Sequence, residues 1–157
     1  MKNTIVSLCV FLFAFGSYSA QEAMPPHNEE GASVWVDSFK KALEKSKREK
    51  KPVLIYFTGS DWCGPCKVLD KKLFHSAKFI KIANKDLILY KANNPRNRDL
   101  VEAERLKENY KLIDKYKVNS YPTLVFVNHR GKMIGYKKGL VLTEYYYPFI
   151  SSVIENY

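Results

Sequence analysis

Cys63 and Cys66 stand three positions apart in the stretch Trp62-Cys63-Gly64-Pro65-Cys66-Lys67. The spacing allows a disulfide across a single turn. Closing so small a loop restricts an unfolded chain little, so the pair is a weak staple and its natural use is to open and close. The run Pro52–Phe57 is short, apolar and rich in aromatic and β-branched residues, which predicts a buried strand. Thr58-Gly59-Ser60-Asp61 reads as a loop. From Pro65 onward the spacing is helical, with Leu69 and Leu73 one turn apart. Cys63 therefore falls where a loop enters a helix, and unpaired backbone N–H groups there favour a thiolate. Cys66, one turn inside, is expected to be sheltered. An exposed, acidic Cys63 would attack a substrate disulfide, and Cys66 would resolve the mixed disulfide. Lys67 either adds positive potential near the sulfurs or simply extends into solvent. The competing use of such a pair is a zinc half-site. That needs about four ligands, and His27, His75 and His129 lack paired spacing, so no metal is expected.

Trp62 to Lys67 resembles the active-site stretch of the thioredoxin family. Tyr121-Pro122-Thr123, followed by the apolar run Leu124–Val127, resembles that family's cis-proline loop. The likeness spans about residues 33–156 and implies an α/β thioredoxin-like fold, a central mixed sheet flanked by helices. It also implies roles. Cys63 and Cys66 form a redox-active disulfide, and no cofactor is required. Trp62 faces substrate, and Gly64 and Pro65 shape the motif and tune its potential. A cis bond before Pro122 sets Tyr121 beside the cysteines, its backbone free to pair with an extended substrate.

One departure stands out. Tyr56 occupies about the place where the family often has a buried aspartate that moves the proton of the resolving cysteine. Asp61 is a substitute, but it is expected to face solvent, and water alone would suffice.

The 157 residues suffice for one domain with a core, and 46% of them are hydrophobic. Lys and Arg outnumber Asp and Glu by 26 to 16, a formal charge of +10. The charges are interleaved over several elements and no nucleic-acid reader motif accompanies them, so nucleic acid is not an expected partner.

The first twenty residues read as an export signal: Lys2 in the n-region, an apolar Ile5–Phe15, then small Ser17, Ser19 and Ala20. Cleavage is expected after Ala20, which discards Cys9; a retained membrane anchor is the alternative. Residues 21–32 read as a flexible leader, and 33–157 as the domain.

Ser33 is expected to cap a helix from Val34 to about Lys50, with Trp35, Phe39, Ala42, Leu43 and Ser46 on one face. A second helix over Phe74–Lys85, broken near His75-Ser76, precedes a strand over Asp86–Ala92. The lengthened segment Arg96–Val118 predicts a helix capped by Asp99 in a capping box with Glu102. Its inner face would hold Ala103, Leu106, Tyr110, Ile113 and Tyr116. The strand Thr123–Asn128 turns at His129–Lys132 and returns over Met133–Lys138, with a terminal helix from Thr143.

The function these residues imply is an exported thiol–disulfide oxidoreductase acting on protein substrates. Gly-Pro between the cysteines resembles the reducing thioredoxins, which implies a reductase or isomerase and, outside the cytosol, a membrane electron donor. The alternatives are a disulfide oxidase and a non-catalytic binding module of the same fold.

Overall fold

The computed structural model describes residues 33–157, so the expected export signal, Cys9 and the leader lie outside the described residues. Five strands form one sheet in the order β1-β3-β2-β4-β5. They are β1 (Trp35–Val36), β2 (Val53–Thr58), β3 (Ile88–Asn93), β4 (Thr123–Val127) and β5 (Met133–Lys138). β1, β3 and β2 run parallel; β4 is antiparallel to β2, and β5 to β4. The helices are α1 (Phe39–Glu49), α2 (Gly64–Leu69), α3 (Ala77–Asp86), α4 (Ala103–Lys115) and α5 (Tyr146–Glu155).

β2 is the centre, and all six of its residues are buried. Its side chains alternate between the two faces, as a strand requires. Leu54 and Tyr56 join Leu69, Phe74, Phe79 and Ile150 beneath α2, α3 and α5. Val53, Ile55 and Phe57 join Phe39, Ala42, Leu112 and Tyr116 beneath α1 and α4. Each apolar layer excludes water from one face of the sheet, at roughly 25 cal/mol per Å² of apolar surface removed.

Three sequence expectations are corrected. The first helix does not begin at Val34. Trp35 and Val36 pair with Leu89 and Tyr90 as a parallel edge strand, and Ser38 caps α1 by accepting a hydrogen bond from the Lys41 N–H at 3.3 Å. Trp35 thus packs on the α2 side of the sheet, edge-on to Phe74 at 5.4 Å. Asp99 does not cap α4. It lies in a 3₁₀ turn, Arg98–Leu100, whose cap is Asn97, and α4 starts three residues later without a side-chain cap. The buried face of α4 holds Leu106, Asn109 and Leu112, with Tyr116 following. Tyr110 is exposed. Asn109 can be interior because both ends of its amide are satisfied, Oδ1 by the Tyr90 hydroxyl at 2.6 Å and Nδ2 by the Asn93 carbonyl at 2.8 Å.

Other expectations hold. A break at His75-Ser76 separates α3, capped by Ser76, from the segment before it. The β4–β5 hairpin turns through Gly131 at φ 70°, a left-handed conformation that glycine adopts without a Cβ clash. α5 starts at Tyr146, and Pro148 sits in its first turn, where a missing N–H costs nothing. Of the consecutive Tyr145, Tyr146 and Tyr147, the first is exposed, the second is buried, and the third has its hydroxyl 2.9 Å from Ser76 Oγ. Among the described residues no helix is long and apolar enough to cross a membrane.

Candidate functional site

β2 ends at Thr58, and the chain makes a tight turn in which the Cys63 N–H donates to the Gly59 carbonyl at 2.8 Å. Cys63 then caps α2. Its Sγ accepts the Cys66 backbone N–H at 3.2 Å, which is the helix-start geometry that favours negative charge on that sulfur. Pro65 occupies the first turn of α2, and a Cβ on Gly64 would meet nothing within 4 Å.

Cys63 and Cys66 are joined by a disulfide with an S–S distance of 2.05 Å. Cys63 is 3% exposed and Cys66 1%. The expectation of an exposed Cys63 beside a sheltered Cys66 is therefore corrected for the oxidised form. Both sulfurs rest on the apolar cluster of Leu69, Leu73 and Phe74, against which Tyr121 also packs.

The bond between Tyr121 and Pro122 is cis. Tyr121 is half-buried, which pushes its phenol pKa up, and its ring meets the Trp62 indole edge-on at 5.3 Å. Its backbone enters no backbone–backbone hydrogen bond among the described residues, whereas the next carbonyl, that of Pro122, accepts from the Gly139 N–H at 2.8 Å. Trp62 is partly exposed and held in place: its Nε1 donates to the Asn94 carbonyl at 2.9 Å. Asn94 in turn donates to the Tyr121 hydroxyl at 3.1 Å.

Two further bridges fix the same loop. Ser60 and Asn93 exchange hydrogen bonds, with Ser60 N–H to Asn93 Oδ1 at 3.0 Å and Asn93 Nδ2 to Ser60 Oγ at 2.8 Å. Asp61 accepts from the backbone N–H groups of Asn97 at 2.9 Å and Arg96 at 3.1 Å. Those bonds, the Asn97 bond foremost, hold its carboxyl below the usual aspartate range. Asp61 thus pins the rim and is not the group beneath Cys66. Lys67 does not reach a sulfur; its Nζ donates to the Asp61 carbonyl at 3.3 Å. The roles of Asn93, Asn94 and Arg96 have no local signal in the sequence.

Tyr56 is buried, as its place in β2 requires, and its hydroxyl donates to the Cys66 carbonyl at 3.0 Å. Burial is the main cause that drives its pKa far up, and the neighbouring Asp70 charge adds to it, so Tyr56 is a neutral donor. Below Cys66 lies a cavity of about 80 Å³, lined by Tyr56, Thr58, Ser60, Cys66, Lys67, Asp70 and Lys91. Sequence reasoning missed Asp70 and Lys91 altogether.

A mixed sheet with a cysteine pair at the head of a sheet-covering helix, faced by a cis-proline loop, defines a domain of the thioredoxin type. Residues 39–153 match the family model described as a thioredoxin-like domain, and the chain belongs to that family. It is 35% identical over 103 residues to the disulfide bond reductase DsbH of Chlamydia pneumoniae, covering 66% of this chain and 61% of that protein. It is 34% identical over 101 residues to the thioredoxin-related protein DsbJ of the same organism, of which it spans 29%. A solved DsbH oxidoreductase structure superposes with a TM-score of 0.71 at 27% identity, covering 87% of this chain and 95% of that one. A thioredoxin from Thermus thermophilus, at 18% identity and TM-score 0.61, shares the fold.

Proposed function

We propose that the protein is an exported thiol–disulfide oxidoreductase that reduces or isomerises disulfides in protein substrates. The observation that carries this reading is Cys63 capping α2, its Sγ bonded to the Cys66 N–H, beside a Tyr121 whose backbone enters no backbone–backbone hydrogen bond among the described residues. In the reducing direction the Cys63 thiolate attacks one sulfur of a substrate disulfide. The substrate's other sulfur leaves as a thiolate and takes a proton. Cys66 then attacks Cys63, releasing the second substrate sulfur and leaving the Cys63–Cys66 disulfide. An extended substrate pairs with the Tyr121 backbone and packs on the exposed Trp62 indole.

The reducing direction is supported by Asp61, an anion held within the loop next to Cys63, because a nearby negative charge disfavours a very acidic thiolate. The similar DsbH protein is named a disulfide bond reductase. Residues 1–20 act as the export signal and 21–32 as a leader, so the electrons come from a membrane electron donor. Equilibration with glutathione buffers tests the direction. A potential near the thioredoxin value of about −270 mV is expected. Persistence of the reduced form in strongly oxidising mixtures would make the protein an oxidase. Trapping with Cys66→Ser tests the substrate class: covalent complexes with proteins on Cys63 are expected, and their absence would leave a binding module.

A further inference from the structure

On the α1/α4 face of the sheet, β4 is covered and β5 is not. Thr123 and Val125 are buried, whereas their partners across the ladder, Lys138 and Tyr136, are exposed. Between them lies a cavity of about 200 Å³. Buried Tyr116 and Val118, from the end of α4 and the turn after it, complete its wall. The buried hydroxyls there already have partners. Thr123 Oγ1 donates to the Ser120 carbonyl at 2.8 Å, and the Tyr116 hydroxyl donates to the Gly131 carbonyl at 2.9 Å. Methyl groups and ring faces are what remain for a guest, so the guest is apolar. At about 200 Å³ the cavity is smaller than the roughly 300–1,000 Å³ of a site for a whole small molecule, and it suits one apolar side chain.

The charge around the mouth is mostly of one sign. Lys138 Nζ donates to Asn119 Oδ1 at 3.2 Å and lies 5.7 Å from the Tyr136 ring centroid; among the described residues no carboxylate pairs with it. Lys117 also lines the cavity, and Lys115 Nζ lies 5.3 Å from the Tyr116 ring centroid. The acid that meets them is Asp114, in an exposed pair with Lys117 at 3.3 Å. The position is equally particular. Thr123 directly follows Pro122, and Gly139, which follows Lys138, donates to the Pro122 carbonyl at 2.8 Å. The cavity therefore adjoins the loop in which Tyr121 offers its backbone. Tyr121 and Val125 are four residues apart in the chain, at most about 13 Å of extended backbone.

We propose that this cavity is a second contact site for protein substrates, taking one apolar side chain with a neighbouring Asp or Glu that pairs with Lys138, from a stretch about four residues away from the reacting cysteine. The inference deepens the oxidoreductase reading above and rests on it. No bond is made or broken in the cavity. It selects which disulfides are presented to Cys63, favouring those in extended segments that are both apolar and acidic.

The test uses the reduced protein and synthetic peptides, each with one cysteine in a mixed disulfide with an aromatic thiol that absorbs when released. About four residues from the cysteine stands Phe-Glu, Phe-Lys, Ser-Glu or Ser-Lys, on the N-terminal side in one set and the C-terminal side in another. In one set Phe-Glu should react about tenfold faster than Ser-Glu, the scale of burying one apolar side chain. It should react about two- to fivefold faster than Phe-Lys, the scale of one exposed ion pair. Salt at about 1 M should remove the Glu-over-Lys part and leave the Phe-over-Ser part. Lys138→Glu should reverse the Glu-over-Lys order, and Tyr136→Ala should shrink the Phe-over-Ser ratio. Both side chains are exposed, so the fold does not depend on them, and both variants should reduce a small aromatic disulfide at the wild-type rate. Equal rates for the four peptides in both sets overturn the proposal, and so do preferences that survive in both variants. A dimer in sedimentation that Tyr136→Ala dissolves would assign the cavity to a second copy and overturn it as well. Should the wild-type protein leave the small aromatic disulfide intact, the oxidoreductase reading itself fails; normal reduction of it with no preference among the peptides removes the cavity alone.

Discussion

The two sides of the cysteine pair are built from different materials. The outer rim, Ser60 to Trp62 against Asn93 to Asn97, is held by short polar bridges between exposed loops. The inner side, Tyr56, Asp70 and Lys91 under Cys66, is walled by aromatic rings: Tyr56 lies 4.5 Å from Phe74, and Trp35 lies 5.4 Å from Phe74. Polar bridges at a surface are each worth about 1 kcal/mol and can exchange with water. Buried rings each remove a large apolar area and cannot be replaced by solvent. The rim can therefore adjust to a partner while the inner side holds Cys66 fixed. Changes at the rim should alter what the protein accepts, and changes inside should alter whether it folds and how it resolves.

The largest effect is expected at the junction itself. Cys63→Ser should reduce exchange with any disulfide to background, whereas Cys66→Ser should keep the first attack and accumulate mixed disulfide on a non-reducing gel. Comparable residual turnover in the two variants would erase the distinction between the sulfurs.

Next comes the inner wall. Tyr56→Ala should cost about 3–5 kcal/mol in denaturant unfolding, as other large-to-small aromatic truncations in cores do. Tyr56→Phe should cost about 1 kcal/mol, the value of the hydrogen bond to the Cys66 carbonyl. Equal costs for the two would mean that the ring contributes nothing.

A smaller effect is expected at the rim. A Cβ on Gly59 would fall on the Trp62 indole, so Gly59→Ala should push that ring off the Asn94 carbonyl. Reduction of a protein disulfide should fall several-fold, and more than reduction of a small one; Trp62 fluorescence should shift. A large loss of stability with unchanged substrate preference would reverse the comparison.

The smallest effect concerns acid. Asp61 is held below the ordinary aspartate pKa, mainly by the Asn97 N–H, so its contribution is present above that ordinary value and disappears as pH falls through the depressed one. Stability of the wild type should therefore decline across that window slightly more than that of Asp61→Asn. Identical acid limbs in thermal melts would show that the carboxylate does not hold the loop.

Legibility in the sequence follows the range of the interactions. The cysteine pair, the loop before it and Tyr121-Pro122 were readable because each is a contiguous run with its own chemistry. The break at His75-Ser76 and the turn at Gly131 were readable for the same reason. β1 was not, because Trp35 and Phe39 stand four apart and suit a helix equally well. Only pairing with Leu89 and Tyr90, more than fifty residues away, makes the first a strand. Asn109 was missed because a polar side chain reads as outward until Tyr90 and Asn93 are known to meet it. Asp70 and Lys91 were missed because a one-turn widening of the helix and a neighbouring strand bring them together, and neither leaves a local mark.

Among the described residues β5 closes one side of the sheet with no strand beyond it. Met133, Ile134 and Tyr136 are exposed, while Gly135 lies close under α5, near Val153 and Phe149, and Lys137 Nζ sits 5.5 Å from the Phe149 ring centroid. An uncovered strand bearing apolar side chains is a template on which foreign or unfolded chains can zip. Here Lys137 and Lys138 end the strand, Lys132 precedes it, and a register shift opposite Phe126 and Val127 interrupts its pairing with β4. With a formal charge of +10, a second copy approaching along that edge meets a row of like charges. Lys132, Lys137 and Lys138 thus set like charges along the open edge, which works against strand pairing between two copies.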